Sequence, residues 1–280
     1  MKKLLLIALM CLSSICLVHA QVNVRLEPVK KFYISGEPLS VKVTLVNNSG
    51  SNVTLTSKDL DSWLNINVES SNGQEQIPQS RFATFPKVMI PAGKQISKKI
   101  DLRHFYDLTN EGIYRVYAVV KLPNGTLTGS AKKGLFISGG STVWSQTVNI
   151  PNSPKKCKFV VLTQPERGVQ KMYIQVRDGD TNIPYNAACV GNWLKLDRPR
   201  IQIDGKCNIH LLFLTTPQLC CYVKMDYRGM VTKVSYYKRL VAQPNLVFLP
   251  DGSIQVTGGA LFDPTKPVQK VPDATTLPNM

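Results

Sequence analysis

Apolar residues recur at every second position along much of this chain. Leu39, Val41, Val43 and Leu45 alternate with Ser40, Lys42 and Thr44, and Met172, Ile174 and Val176 alternate with Tyr173, Gln175 and Arg177. A period of two turns one face of a strand toward a core and the other toward water, and no segment sustains the helical 3.6-residue period. Turn pairs separate the runs at Asn72-Gly73, Asn124-Gly125, Asp204-Gly205, Arg228-Gly229 and Asp251-Gly252. Their glycines supply the positive φ that tight hairpins require. The pattern predicts an all-β protein, and antiparallel sheets that must bury one face predict β-sandwiches or barrels.

The chain has 280 residues, a length that suits two domains of about 150 residues each. A break is expected at Ser138-Gly139-Gly140-Ser141, which divides the sequence near residue 140. We expect two β-sandwich modules in tandem, over 21–140 and 141–262, followed by a Pro-rich tail over 263–280. Residues 1–20 have the form of a signal peptide: basic Lys2-Lys3, an apolar run from Leu4 to Met10, and Val18-His19-Ala20 before a cut. The run is broken by Ser13 and Ser14 and falls short of a membrane span. Ser13 and Ile15 do not fit a lipid-attachment box around Cys16. The expected product is exported, periplasmic or extracellular, without a transmembrane anchor.

Several stretches resemble bacterial immunoglobulin-like sandwiches. Gly36-Glu37-Pro38 leads into the alternating strand from Leu39 to Val46, and Asn47-Asn48-Ser49-Gly50 follows it. Further on, Ile90-Pro91-Ala92-Gly93 precedes Ile100-Asp101-Leu102, and Asn110-Glu111-Gly112 precedes Ile113-Tyr114-Arg115-Val116. The last stretch is similar to a tyrosine corner, which implies a structural role for Tyr114, its hydroxyl bonding upstream backbone. The resemblance spans about residues 22–138 and extends weakly to proteinase-inhibitor-like sandwiches and to accessory domains of secreted peptidases. The second half resembles no family.

Cleavage at Ala20 would leave five cysteines, at 157, 189, 207, 220 and 221. In an exported compartment they imply one or two disulfides with at least one thiol unpaired, or buried free thiols. The first expected bridge joins Cys189 to Cys207. By strand parity Cys207 shares a face with Ile209, Leu211 and Phe213, Cys221 shares one with Val223 and Met225, and Cys220 points the other way. There is no Cys-x-x-Cys pair, no Gly-x-Ser-x-Gly elbow, no His-Glu-x-x-His and no phosphate-binding loop. Asp178-Gly179-Asp180-Thr181-Asn182 opens like a calcium loop, but Ile183 takes the glycine position and Cys189 that of the bidentate Glu, so a hairpin turn is expected. With His104 and His210 alone left after cleavage, we expect no enzyme, no metal and no cofactor.

The formal charge is +16, from 34 basic and 18 acidic residues, and removal of Lys2 and Lys3 leaves +14. The excess is spread over both halves, without the recognition helix or ordered aromatic face of a nucleic-acid binder. It favours an anionic envelope polymer, a glycan or an exported protein as partner. Trp63, Trp144 and Trp193, whose indole faces could cover a sugar ring, and the nearby Lys195, Arg198 and Arg200 are the candidate ligand contacts. The function expected is that of a non-catalytic binding or structural protein of the bacterial cell envelope. An inhibitor or accessory module of an exported hydrolase is the alternative, followed by a carboxylate-dependent hydrolase.

Overall fold

The computed structural model describes residues 22–58, 61–79 and 85–264. The expected leader, and the expected tail from residue 265 onward, lie outside the described residues. The fold is all-β, in several sheets, and divides into two compact units between Gly139 and Gly140. The single helical element among the described residues is a 3-10 turn, Leu102–His104, capped by the Asp101 carboxylate, which accepts from the Arg103 N–H.

The first unit holds β1 (Val22–Pro28), β2 (Phe32–Ile34), β3 (Ser40–Asn47), β4 (Val53–Leu55), β5 (Leu64–Ser70), β6 (Val88–Ile90), β7 (Gln95–Asp101), β8 (Gly112–Lys121), β9 (Leu127–Gly129) and β10 (Lys133–Ser138). One sheet runs β1-β3-β7, a second runs β2-β10-β8-β5 with β9 beside β8, and β4 pairs with β6. All pairings are antiparallel except β2 with β10. The alternation in β3 decides the burial: Val41, Val43 and Leu45 enter one core with Ile66 and Val68 of β5 and Val116 and Ala118 of β8. The Gly36-Glu37-Pro38 turn closes on a buried carboxylate, whose oxygens accept from the Ile34 N–H at 2.9 Å and from Lys30 Nζ at 2.5 Å. The Tyr114 hydroxyl donates to the Asn110 carbonyl at 3.0 Å.

The second unit begins with a meander of β11 (Ser141–Asn149), β12 (Lys156–Glu166), β13 (Val169–Asp178) and β14 (Pro184–Asn192). Its other large sheet contains β15 (Arg200–Ile203), β16 (Ile209–Thr216), β17 (Leu219–Met225), β18 (Val231–Lys238) and, last in sequence, β21 (Ala260–Phe262). Between β18 and β21 the chain forms the hairpin β19 (Asn245–Phe248) and β20 (Ile254–Thr257). Phe159, Ile174, Leu211, Phe213 and Val223 belong to the core shared by the two large sheets. The opposite face of β16 and β17 presents Leu212, Leu214, Cys220 and Tyr222, which cluster with Leu246 and Ile254 of the β19–β20 hairpin.

Two local expectations change. Tyr173 and Gln175, the alternate residues of β13, are buried as well as Ile174 and Val176. Burial of the amide is tolerated because Gln175 Oε1 accepts from Arg177 Nε at 2.6 Å. Gly73, Gly125, Gly229 and Gly252 take positive φ, but in the Asp204-Gly205 turn the left-handed residue is Cys207, at φ 60°. That turn is longer than a two-residue hairpin: the Cys207 N–H donates to the Asp204 carbonyl, and the Asp204 N–H to the Asn208 carbonyl.

Candidate binding site

The loop from Trp193 to Pro199 crosses from one large sheet of the second unit to the other. It is tied at both sides: the Trp193 N–H donates to the Gln170 carbonyl of β13 at 2.7 Å, and the Leu194 N–H to the Leu214 carbonyl of β16 at 2.8 Å. The exposed loop residues that follow and the edge strand β11 line an open cavity of about 640 Å³. Trp144, Trp193, Lys195, Asp197, Arg198 and Ile201 are among its walls. A shift in register between Thr142 and Trp144 resets the parity of β11. Trp144 therefore packs on the apolar core from the sheet edge while staying partly accessible.

Trp193 is buried to 9% exposure, and its indole N–H has no acceptor among the described residues. Lys195 and Arg198 are exposed and form no ion pair among the described residues. Asp197 accepts from the Arg198 backbone N–H at 2.8 Å, a contact that shapes the loop. The cavity thus offers a partly exposed indole beside two exposed cations, the combination that packs a ring and pairs with an anion.

Four of the six expected ligand-contact residues, Trp144, Trp193, Lys195 and Arg198, meet at this cavity. Arg200 does not line it, because its guanidinium donates to the Pro244 carbonyl ahead of β19. Trp63 belongs to the first unit, where it is buried at 5% exposure against Phe85, its Nε1–H donating to the Pro86 carbonyl at 3.1 Å. Its indole serves core packing beside a smaller cavity of about 240 Å³ that Val43, Leu45 and Ile96 also line.

The expected Cys189–Cys207 bridge is not formed in this structure. Cys189 is exposed, because its neighbours Ala188 and Val190 are the residues of β14 that pack on the core. Cys207 is buried and faces Cys157 of β12, Sγ to Sγ 3.5 Å, and no cysteine pair stands at bonding distance.

His210, counted above only as one of two histidines left after cleavage, lies in a buried polar network that hydropathy alternation does not reveal. His210 Nε2 lies 3.0 Å from Asp204 Oδ2 and Nδ1 lies 2.8 Å from the Tyr222 hydroxyl. Asp204 also accepts from the Lys206 and Asn208 N–H groups and from the Asn208 amide, with Lys224 Nζ at 3.4 Å. Burial alone would push the Asp204 carboxyl up, but the donors of His210 and Asn208 outweigh it and hold it down to about 2. Burial also lowers the His210 pKa, against the pull of Asp204. A neutral imidazole then donates from Nε2 to the carboxylate and accepts the Tyr222 proton at Nδ1. The order hydroxyl, imidazole, carboxylate matches a hydrolase triad, yet burial pushes Tyr222 up to about 12 and surrounds it with Leu212, Leu214 and Leu246. The network pins the β15–β16 turn to β17.

No family model and no curated protein matches the chain. Among solved structures it is similar to Spo0M, a sporulation control protein from Bacillus subtilis, at 8% identity and a TM-score of 0.31 over 76% of this chain and 80% of that one. It is also similar to a DUF4784 family protein from Bacteroides caccae, at 8% identity and a TM-score of 0.20 over 86% of each chain. Both are distant likenesses.

Proposed function

We propose that this chain is an exported, non-catalytic binding protein of a bacterial envelope, and that the cavity of its second unit takes an anionic glycan. The observation that carries this reading is the meeting of Trp144 and Trp193 with Lys195 and Arg198 around about 640 Å³ of open space. A pyranose ring lies against the indole, and its carboxylate, sulfate or phosphate pairs with the cations, which electrostatic attraction has already brought near. Export follows from the leader pattern of residues 1–20. Within this proposal the units are two β-sandwich modules, the first immunoglobulin-like, supported by the single core that its sheets share and by the Tyr114 contact to Asn110.

Retention of the purified protein on immobilised polygalacturonate, dextran sulfate and neutral dextran at low salt tests the reading. The acidic polymers should retain it and neutral dextran should not. Lys195→Glu with Arg198→Glu should abolish retention without lowering the melting temperature, since both side chains are exposed. Trp144→Ala should weaken binding about tenfold, the equivalent of about 1.4 kcal/mol. Equal retention of the charge-reversed protein, or none of the wild type by either acidic polymer, refutes it.

A further inference from the structure

We infer that Cys157 and Cys207 are a disulfide-forming pair that staples the two large sheets of the second unit when the chain folds in an oxidising environment. The two sulfurs lie 3.5 Å apart, at 0% and 3% residue exposure, inside one apolar core. Cys157 belongs to β12 of one sheet, and Cys207 to the turn between β15 and β16 of the other. A disulfide bond of about 2.05 Å requires the sulfurs to close by about 1.5 Å, which rotation about the Cα–Cβ bonds can supply.

The turn itself points the same way. Cys207 stands at φ 60°, where glycine or asparagine fits with less strain. Asp204 Oδ1 fixes this conformation by accepting from the N–H groups of Lys206 and Asn208, on either side of Cys207. The side chain held there faces Cys157. Cys189 is exposed, and adjacent Cys220 and Cys221 fall in different clusters on opposite faces of their sheet, so neither arrangement competes.

The chemistry is thiol–disulfide exchange with a small disulfide such as oxidised glutathione. The Cys207 thiolate, its proton released to solvent, attacks one sulfur of the small disulfide and expels a thiolate, leaving a mixed disulfide. The Cys157 thiolate then attacks the Cys207 sulfur, expels the second small thiolate, and closes the bridge. Two protein thiols are oxidised, one small disulfide is reduced, and the two released protons protonate the departing thiolates. Because both sulfurs are buried in the folded unit, exchange precedes closure of the core.

The test is refolding of the full chain in a glutathione redox buffer, followed by alkylation in denaturant, digestion and mass spectrometry. The expected product is a cross-linked peptide pair containing Cys157 and Cys207, still formed in the Cys189→Ser variant. Reduction should lower the melting temperature of the wild type by about 10 °C, with no such drop in Cys207→Asn, which keeps a residue suited to positive φ. Full alkylation of Cys157 and Cys207 after refolding overturns the inference, as does a cross-link from Cys207 to any other cysteine.

Discussion

The turn between β17 and β18 gives a sharp test of how the second unit is held together. Gly229 sits at φ +83°, and a Cβ placed on it would come within 2.5 Å of Asn186 Cβ, with Nδ2 and Cγ of the same side chain at 2.6 and 2.8 Å. That asparagine is itself structural: its Nδ2 donates to the carbonyls of Gly229 at 3.0 Å and Arg228 at 3.3 Å, docking the turn on β14. Gly229→Ala therefore incurs two penalties. The left-handed backbone costs an alanine about 1 kcal/mol, and displacing Asn186 forfeits two hydrogen bonds of about 1 kcal/mol each. The expected loss is about 3 kcal/mol. The three nearest atoms all belong to Asn186, so in an Asn186→Gly background the same substitution should cost about 1 kcal/mol, leaving a coupling of about 2 kcal/mol. Calorimetry or urea unfolding of wild type, both single variants and the double variant measures the cycle. A Gly229→Ala penalty below about 0.5 kcal/mol, or one unchanged by Asn186→Gly, would refute the reasoning.

Three further outcomes follow from hydrogen bonds in the cores. Carboxyl NMR should find the Asp204 midpoint at about 2. Because this folded value lies below the ordinary carboxylate value, Asp204 contributes stability of about 2 kcal/mol above pH 4 that fades as the pH falls toward 2; a midpoint near 4 contradicts the network. The His210 ring should titrate below the ordinary histidine value of 6.5, since burial lowers its pKa, so stability also declines as acid protonates the unfolded chain first. In the first unit, Tyr114→Phe should cost about 1 kcal/mol through loss of the 3.0 Å bond to the Asn110 carbonyl, read as a lower urea midpoint at unchanged slope.

Hydropathy alternation located the strands because it reports which residues can enter a core. Val41, Val43 and Leu45 have at most 2% exposure. The same signal says less about the opposite face. Gln175 is buried because a neighbouring arginine satisfies its oxygen, and His210 because a carboxylate and a phenol occupy both ring nitrogens. The arginine stands two residues along the same strand, the carboxylate in the turn before β16 and the phenol on neighbouring β17, pairings between polar side chains that a hydropathy pattern does not contain. The glycine rule fails at Gly205 for a related reason. Asp204 organises a longer turn through its side chain, and the positive φ moves two residues on, to Cys207.

The cavity shows where sequence proximity ends and topology takes over. Trp193, Lys195 and Arg198 are close in the chain, and a short exposed loop keeps them together whatever the fold. Trp144 joins them because β11 and β15 are edge strands of the two large sheets of one unit, and the bulge before Trp144 turns its ring toward their shared core. Arg200 is near the same loop in sequence but lies where β15 begins, and its guanidinium is drawn to Pro244. Restoring Arg200 to the cavity would require breaking that contact. Charge removed at Arg200 should therefore act through the β18–β19 connection, whereas charge removed at Lys195 or Arg198 should act on the proposed glycan binding alone.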